Sequence, residues 1–512
     1  MFSLTGVEIS LLRCAFLVKS MFSLLIIISS VFPDHDADAF KPPQEPYLGW
    51  ADKVIRVCFQ GFCKWDSVYF TFIAEHGYIY EQSLAFFPGF PMLSGLLGRI
   101  LTLVCLNSLS LASAVLLCGF LLNFVLCLLA TICFYRLGVS VLGSSKISFL
   151  SALLFCWNPA VVFFSSLYSE SLFFFLTVFG LYLLTVNRTL WSSLLFASSI
   201  SCRSNGLLNI GYLGYFMLVN SNLRSLIWVE KVSNIRSLLS FVFLSIKWWV
   251  NLFVFLTPRF ILLCLCALPF LLYQTYGYFL YCAYDKPFNL LVPSEISMPL
   301  LHFGLDHGFV MPLGAKNVST SSSIPAWCSS MPPFSYTYIQ ENKWNVGLWS
   351  YYQLRQIPNF ILAMPVVILC FVCSVLFYRR APSAYRTLGL YAECEMNRNM
   401  VPYVFHMLFL CAYGVLHINV QVLTRMIFSS CPIVYWFCAY LLREAIPNFE
   451  QLMKLGVPYS KTKCALYYDL VNICRTMNPF QYRLLKHRAV LCYFVGYAII
   501  GCIMHPNFLP WT

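Results

Sequence analysis

Long apolar runs, separated by short basic stretches, set the pattern of this chain, and no segment alternates with the two-residue period of a barrel strand. The runs fall at about 9–32, 110–134, 148–164, 170–186, 190–201, 206–222, 259–283, 360–378, 401–423, 426–442 and 489–505. A helix needs about 20 apolar residues to cross a bilayer, so the pattern predicts an all-α polytopic membrane protein with about eleven spans. Residues 237–256 are ambiguous, because Lys247 and Trp248-Trp249 suit an interfacial helix as well as a span. Arg13 and Lys19 lie in the first run and are expected to anchor its cytosolic end; with no small-x-small site before Pro33, an uncleaved anchor is predicted.

Basic residues give the orientation. Placing Arg136 and Lys146, Arg224, Lys231 and Arg236, Arg379, Arg380, Arg386 and Arg398, and the segment 443–488 on one side yields a consistent alternation, and that side is the cytosol. Two long polar loops, 33–99 and 284–358, and the tail from His505 then face the lumen. Asn317-Val318-Ser319 becomes a luminal glycosylation sequon at Asn317, whereas Asn187-Arg188-Thr189 falls on the cytosolic side. No internal repeat or soluble domain interrupts residues 1–512, which read as one membrane domain.

Composition sharpens this reading. Hydrophobic residues make up 60% of the 512 and charged ones only 10%, with 47 Phe, 31 Tyr and 12 Trp to line a bundle and its interfaces. The net charge of +13 is accounted for by topology signals, so no nucleic-acid partner is expected. Most of the 23 cysteines sit in apolar runs, as do Cys105, Cys118, Cys127 and Cys133, and none shows zinc spacing. Cys58, Cys63 and Cys328 lie in the long loops and are open to oxidation, with connectivity undetermined.

Against that background the polar islands stand out. Trp65-Asp66 with Glu75-His76, Tyr168-Ser169-Glu170, Arg203-Ser204-Asn205-Gly206, Gln340 to Gly347, and Gln421 to Arg425 converge on the luminal membrane face under this topology. A transporter would place broken helices and polar groups at the midplane, with duplicated halves. A face of islands suits an enzyme that works on a lipid-borne substrate at the surface; a non-enzymatic transporter or scramblase of polyprenyl or inositol lipids is the alternative.

Several stretches carry a resemblance: Trp65-Asp66, residues 72–78, Phe86-Phe87-Pro88-Gly89-Phe90-Pro91, Cys202 to Gly206, Tyr338-Ile339-Gln340, Trp344 to Gly347, residues 356–360, Gln421 to Arg425 and the ending Asn507 to Thr512. Nearly end to end, the chain resembles the family of second mannosyltransferases of glycosylphosphatidylinositol (GPI) anchor assembly. It departs around 450–488, a segment expected on the cytosolic side. The resemblance implies a GT-C glycosyltransferase of the endoplasmic reticulum membrane, without cofactor. It implies addition of a second, α-1,6-linked mannose from dolichyl-phosphate mannose to a mannosylated GPI precursor, with a small accessory membrane subunit as a partner suggested by fungal members.

The resemblance implies a β-linked donor and an α-linked product, hence inversion by one displacement, which needs one base and a group to hold the departing phosphate. Asp66 is the candidate base, with Trp65, Glu75 and His76 in support; its bland alternative is a helix N-cap. Arg203, Asn205, Glu170, Arg425, Gln340 and Asn345 are the candidates for binding donor phosphate or acceptor. The arginines have snorkelling to headgroups as their alternative, and Glu170 that of an acid favoured at a helix start. Arg203 is expected to face the same cavity as Asp66. The alternating acids Asp34, Asp36 and Asp38 have spacing for Mg²⁺ or Mn²⁺, but a monophosphate donor offers no diphosphate to bridge, and no metal site is expected.

Overall fold

A computed structural model describes residues 4–44, 46–106, 108–219, 246–283, 295–312, 324–390, 392–445 and 465–511. The described residues are helical, without strands. The first part of the chain holds α1 (Gly6–Ser29), α2 (Trp50–Phe59), α3 (Ser67–His76), α4 (Gly89–Val104), α5 (Leu111–Leu142), α6 (Ser145–Cys156), α7 (Val161–Ser165), α8 (Glu170–Thr185), α9 (Thr189–Ile200) and α10 (Asn209–Val219). The remainder holds α11 (Ile246–Tyr281), α12 (Met298–Asp306), α13 (Ser335–Trp344), α14 (Ile357–Arg380), α15 (Pro382–Arg386), α16 (Glu395–Leu416), α17 (Leu423–Ser430), α18 (Pro432–Leu442), α19 (Ala465–Met477) and α20 (Leu485–Met504).

Eleven spans were expected, and here the structure differs. Among the described residues six helical stretches are long and apolar enough to cross a membrane, or seven if the bent pair Val420–Ser430 and Pro432–Leu442 counts as one span. The expected spans at 148–164, 170–186 and 190–201 are α6, α8 and α9, of 12, 16 and 12 residues. At 1.5 Å per residue a 12-residue helix reaches only about 18 Å, against a hydrocarbon core of about 30 Å. Apolar composition had stood in for length. The ambiguous stretch before 257 resolves in part: from Ile246 it is continuous with α11, which runs through Pro258 and Pro269.

The core lies where α5, α6, α8 and α18 meet. Phe155 stacks on Phe174 with centroids 4.4 Å apart, and Phe134 stacks on Trp436 at 6.1 Å. At the start of α1 a capping box joins Thr5 and Glu8, whose Oε1 also takes Arg136 Nε of α5 at 2.5 Å. Arg13 pairs with Asp469 at 3.3 Å, but Lys19, expected as a second headgroup anchor, is buried within the bundle.

Between α1 and α5 the chain folds into short helices turned inside out. On α2 the charged Asp52 and Arg56 are buried while Trp50, Val54 and Val57 are exposed. Asp52 caps the entry to α5: its Oδ1 accepts from Ser110 N at 3.0 Å and its Oδ2 from Leu48 N at 2.8 Å. Burial opposes that charge, but these bonds outweigh it and hold the carboxyl below its usual range. On α4 the exposed stripe is Met92, Leu96, Ile100 and Leu103, while Gly95 and Gly98 let Ala74 and Val115 approach closely. An apolar face turned outward is what an interfacial helix presents to lipid.

Cys328, one of the thiols open to oxidation, forms a disulfide with Cys282, Cα atoms 5.5 Å apart, while Cys58 and Cys63 are free. The sequon at Asn317, and parts of 284–358 and 443–488, lie outside the described residues.

Candidate active site

Four elements far apart in sequence deliver the site. Asp66 precedes the first residue of α3, and Trp65 before it adopts a left-handed φ of 58°, a conformation that non-glycine residues rarely take. Asp66 makes no capping hydrogen bond to α3, so the N-cap alternative fails. Its Oδ2 instead accepts from Arg425 Nη1 at 2.9 Å. Arg425 reaches it because the chain bends by 79° between α17 and α18, at Cys431-Pro432. Proline lacks an N–H and pushes its predecessor out of helical backbone, so α17 is turned across the bundle.

Glu170 opens α8, where the helix dipole favours an acid. One oxygen, Oε1, serves both arginines: Arg425 Nε lies 3.3 Å away, and Arg203 Nη1 donates to it directly. Arg203 Nε also donates to Asn205 Oδ1 at 3.3 Å, and Asn205 Nδ2 donates to Ser430 Oγ at 2.8 Å on α17. The result is an alternating row, Asp66, Arg425, Glu170, Arg203. Side-chain exposure falls from 36% at Asp66 to 13% at Arg425 and 0% at Glu170, with Arg203 at 16%. Asp66 is therefore the carboxylate that a substrate hydroxyl can reach, and neither arginine behaves as a snorkelling side chain.

Aromatic rings enclose this row. Arg425 sits over Phe163 and Tyr168, 5.1 and 5.5 Å from their centroids. Tyr168 donates to Lys64 O at 3.2 Å and shares a hydrogen bond of 3.1 Å with His505 Nε2. Burial, then the nearby charge of Asp66, raise the Tyr168 phenol well above its usual range and keep it protonated. Tyr69, one turn after Asp66, is raised for the same two reasons and stacks between Phe40 and Phe86 at 4.2 and 4.5 Å. The C-terminal tail closes one side, with Phe508 5.7 Å from Trp65 and 4.7 Å from Lys64 Nζ.

Sequence reasoning and structure divide here. The structure brings together Asp66, Trp65, Glu170, Arg203, Asn205 and Arg425. It places Gln340 on α13 and Asn345 at its left-handed end, where neighbouring Trp344 approaches Tyr69 at 6.4 Å; neither side chain hydrogen-bonds to the charged row among the described residues. Glu75 and His76 pair at 3.7 Å on the other side of α3. They line a separate cavity of about 350 Å³ with Lys64, Arg56 and Asp34. Asp34 accepts from Lys64 Nζ at 2.6 and 2.8 Å, and no group of three or more His, Cys, Asp or Glu among the described residues is arranged to hold a metal. Tyr168, in a polar island, and His505, at the start of the tail, are site neighbours that the sequence does not single out; a histidine next to the end of an apolar run is the available signal.

Six or seven apolar stretches of membrane-crossing length among the described residues mark the chain as a multi-pass membrane protein, with the charged row held between its helices. Comparison with known families supplies its chemistry. The family described as "Mannosyltransferase (PIG-V)" matches residues 7–512, and the chain belongs to it: it is a mannosyltransferase. Among similar proteins, "GPI alpha-1,6-mannosyltransferase 2" of Rattus norvegicus is 35% identical over 96% of this chain and 95% of its own length, and the Homo sapiens protein of that name 34% identical over 96% and 95%. "GPI mannosyltransferase 2" of Drosophila melanogaster is 26% identical over 95% and 96%. Among solved structures, the apo Archaeoglobus fulgidus oligosaccharyltransferase aligns at 12% identity and TM-score 0.41, covering 93% of this chain and 55% of that one.

Proposed function

We propose that this enzyme adds a mannosyl residue in α-1,6 linkage, the second mannose, to a mannosylated GPI precursor, drawing it from dolichyl-phosphate mannose in the endoplasmic reticulum lumen. The acceptor and linkage are supported by the names of the relatives; donor, compartment and GT-C architecture are supported by the resemblance in the motifs. The observation that carries the mechanism is the half-exposed Asp66 carboxylate held at 2.9 Å by Arg425, itself only 13% exposed.

In the proposed step Asp66 takes the proton of the acceptor hydroxyl as its oxygen forms the new bond to the sugar's anomeric carbon. The bond from that carbon to the phosphate oxygen breaks, and its electron pair leaves on dolichyl phosphate. One displacement inverts the anomeric centre, so a single carboxylate suffices and no sugar-enzyme intermediate forms. Arg425 orients the base, and Arg425 and Arg203 stabilise the phosphate as negative charge grows on it. The disulfide Cys282–Cys328 supports an oxidising compartment for one loop, as the lumen is.

The test is transfer from dolichyl-phosphate mannose to a one-mannose GPI precursor by membranes carrying wild-type or Asp66→Asn protein. We expect the variant to keep its fold and lose transfer by about 10²-fold or more, the scale of a general base. Full activity in Asp66→Asn removes Asp66 from the mechanism.

A further inference from the structure

A lysine near the middle of a membrane-spanning helix is costly unless its charge is met. Lys19 of α1 is buried, and its ammonium donates to Phe164 O at 2.6 Å and Ser165 Oγ at 3.1 Å, with Cys127 Sγ at 3.5 Å. No carboxylate among the described residues pairs with it. Its two oxygen partners belong to the turn between α6 and α8, where α7 ends at Ser165 and the Phe164 carbonyl, with no backbone donor among the described residues, takes the ammonium and Ser171 Oγ at 2.7 Å. From the other side Asn123 of α5 donates to Ser166 O at 2.6 Å and Tyr168 O at 3.0 Å. Irregular backbone among membrane helices persists only where protein satisfies it, and donors from two spans do so here.

That turn carries the parts of the site that bear on Arg425. Phe163 and Tyr168 lie under its guanidinium, and Glu170 follows directly at the start of α8. We propose that Lys19 is a positioning residue for mannosyl transfer: by holding the 164–165 backbone it fixes the turn that sets Arg425, and through Arg425 sets Asp66. The inference rests on the role of Asp66 and Arg425 given above. Lys19 itself touches no group that meets substrate.

The experiment compares full-length wild-type, Lys19→Met and Lys19→Gln proteins in detergent, reading steady-state transfer and amide hydrogen exchange. Lys19→Met keeps the length of the side chain but removes the donor. We expect its kcat to fall about tenfold or more while the KM values for donor and acceptor stay within about twofold, because misplacement of catalytic groups by a fraction of an ångström acts on the reacting geometry. Exchange should rise within 163–170 and stay unchanged in α14 and α16. Lys19→Gln, which retains a donor, should recover part of kcat. A wild-type kcat in Lys19→Met, unchanged exchange at 163–170, or exchange raised evenly along the chain overturns the proposal. Should Asp66→Asn prove fully active, the mechanism fails on its own account, and exchange at 163–170 still decides whether Lys19 holds the turn.

Discussion

The two sides of α3 carry charge in different ways. Asp66 at its start joins a row of four groups, drawn from residues 66, 170, 203 and 425, in which each interior member serves two neighbours. Glu75, nine positions on and so about 180° around the helix, pairs with the next residue, His76, and both line a cavity bordered by the Lys64–Asp34 pair. Groups that share partners across distant elements hold one geometry, because moving one disturbs the rest. Adjacent pairs can re-form after a change. The first arrangement suits a reaction that needs a base and a phosphate holder at fixed separation, and the comparison yields graded expectations.

The largest effect should come from breaking the row at its centre. Glu170→Gln takes the buried carboxylate from between two half-buried arginines; breaking a fully buried pair costs about 3–5 kcal/mol, and the partial exposure of the arginines sets that as the upper bound here. We expect a lower thermal midpoint together with loss of transfer; a variant with wild-type midpoint and activity would reduce the row to a coincidence of packing. Next is Arg203→Lys, which keeps the charge but cannot serve Glu170 and Asn205 with a planar fork. A fall of about tenfold in kcat/KM for the donor is expected, and unchanged donor kinetics would reassign Arg203 to structure alone.

Changes on the other side of α3 should be milder. Glu75→Gln and His76→Ala are expected to alter kcat/KM by less than about threefold, because both residues line the other cavity rather than the charged row. A loss equal to that of Arg203→Lys would make the cavity part of the active site. Smallest is a chemical probe of the same cavity: burial pushes the Cys63 thiol up to about 11, with Thr71 opposing. At pH 7.5 its alkylation should be at least tenfold slower than that of an ordinary exposed cysteine, since the thiolate is the reactive form. Rapid labelling of Cys63 would mean that the cavity is open and wet.

Much of this was legible in the chain because charges are rare in it. Asp66, Glu170, Arg203 and Arg425 stand out as islands between apolar runs, and the structure brings them together. Their pairing was not legible: Arg203 was expected to share a cavity with Asp66, and both belong to one row, but Arg425 is the arginine that meets Asp66 while Arg203 meets Glu170, across separations that no local pattern encodes. Glu75 and His76 follow Asp66 closely in sequence, which drew them into the same site, but α3 turns them away. Lys19 was read from its nearness to Arg13 and the end of the chain, whereas its position within the apolar run pointed inward. Among the described residues only six or seven stretches have the length of a span, since short helices packed in protein are as apolar as helices that cross a bilayer.

The central claim, that the chemistry belongs to the Asp66 side of α3, is tested most directly by measuring kcat/KM for mannosyl transfer with Asp66→Asn and Glu75→Gln proteins prepared and assayed side by side. Both substitutions remove one carboxylate charge and keep side-chain size, one just before α3 and one within it. The Asp66→Asn loss is expected to exceed the Glu75→Gln loss by about 10²-fold or more. Equal losses, or a larger loss at Glu75, would contradict it.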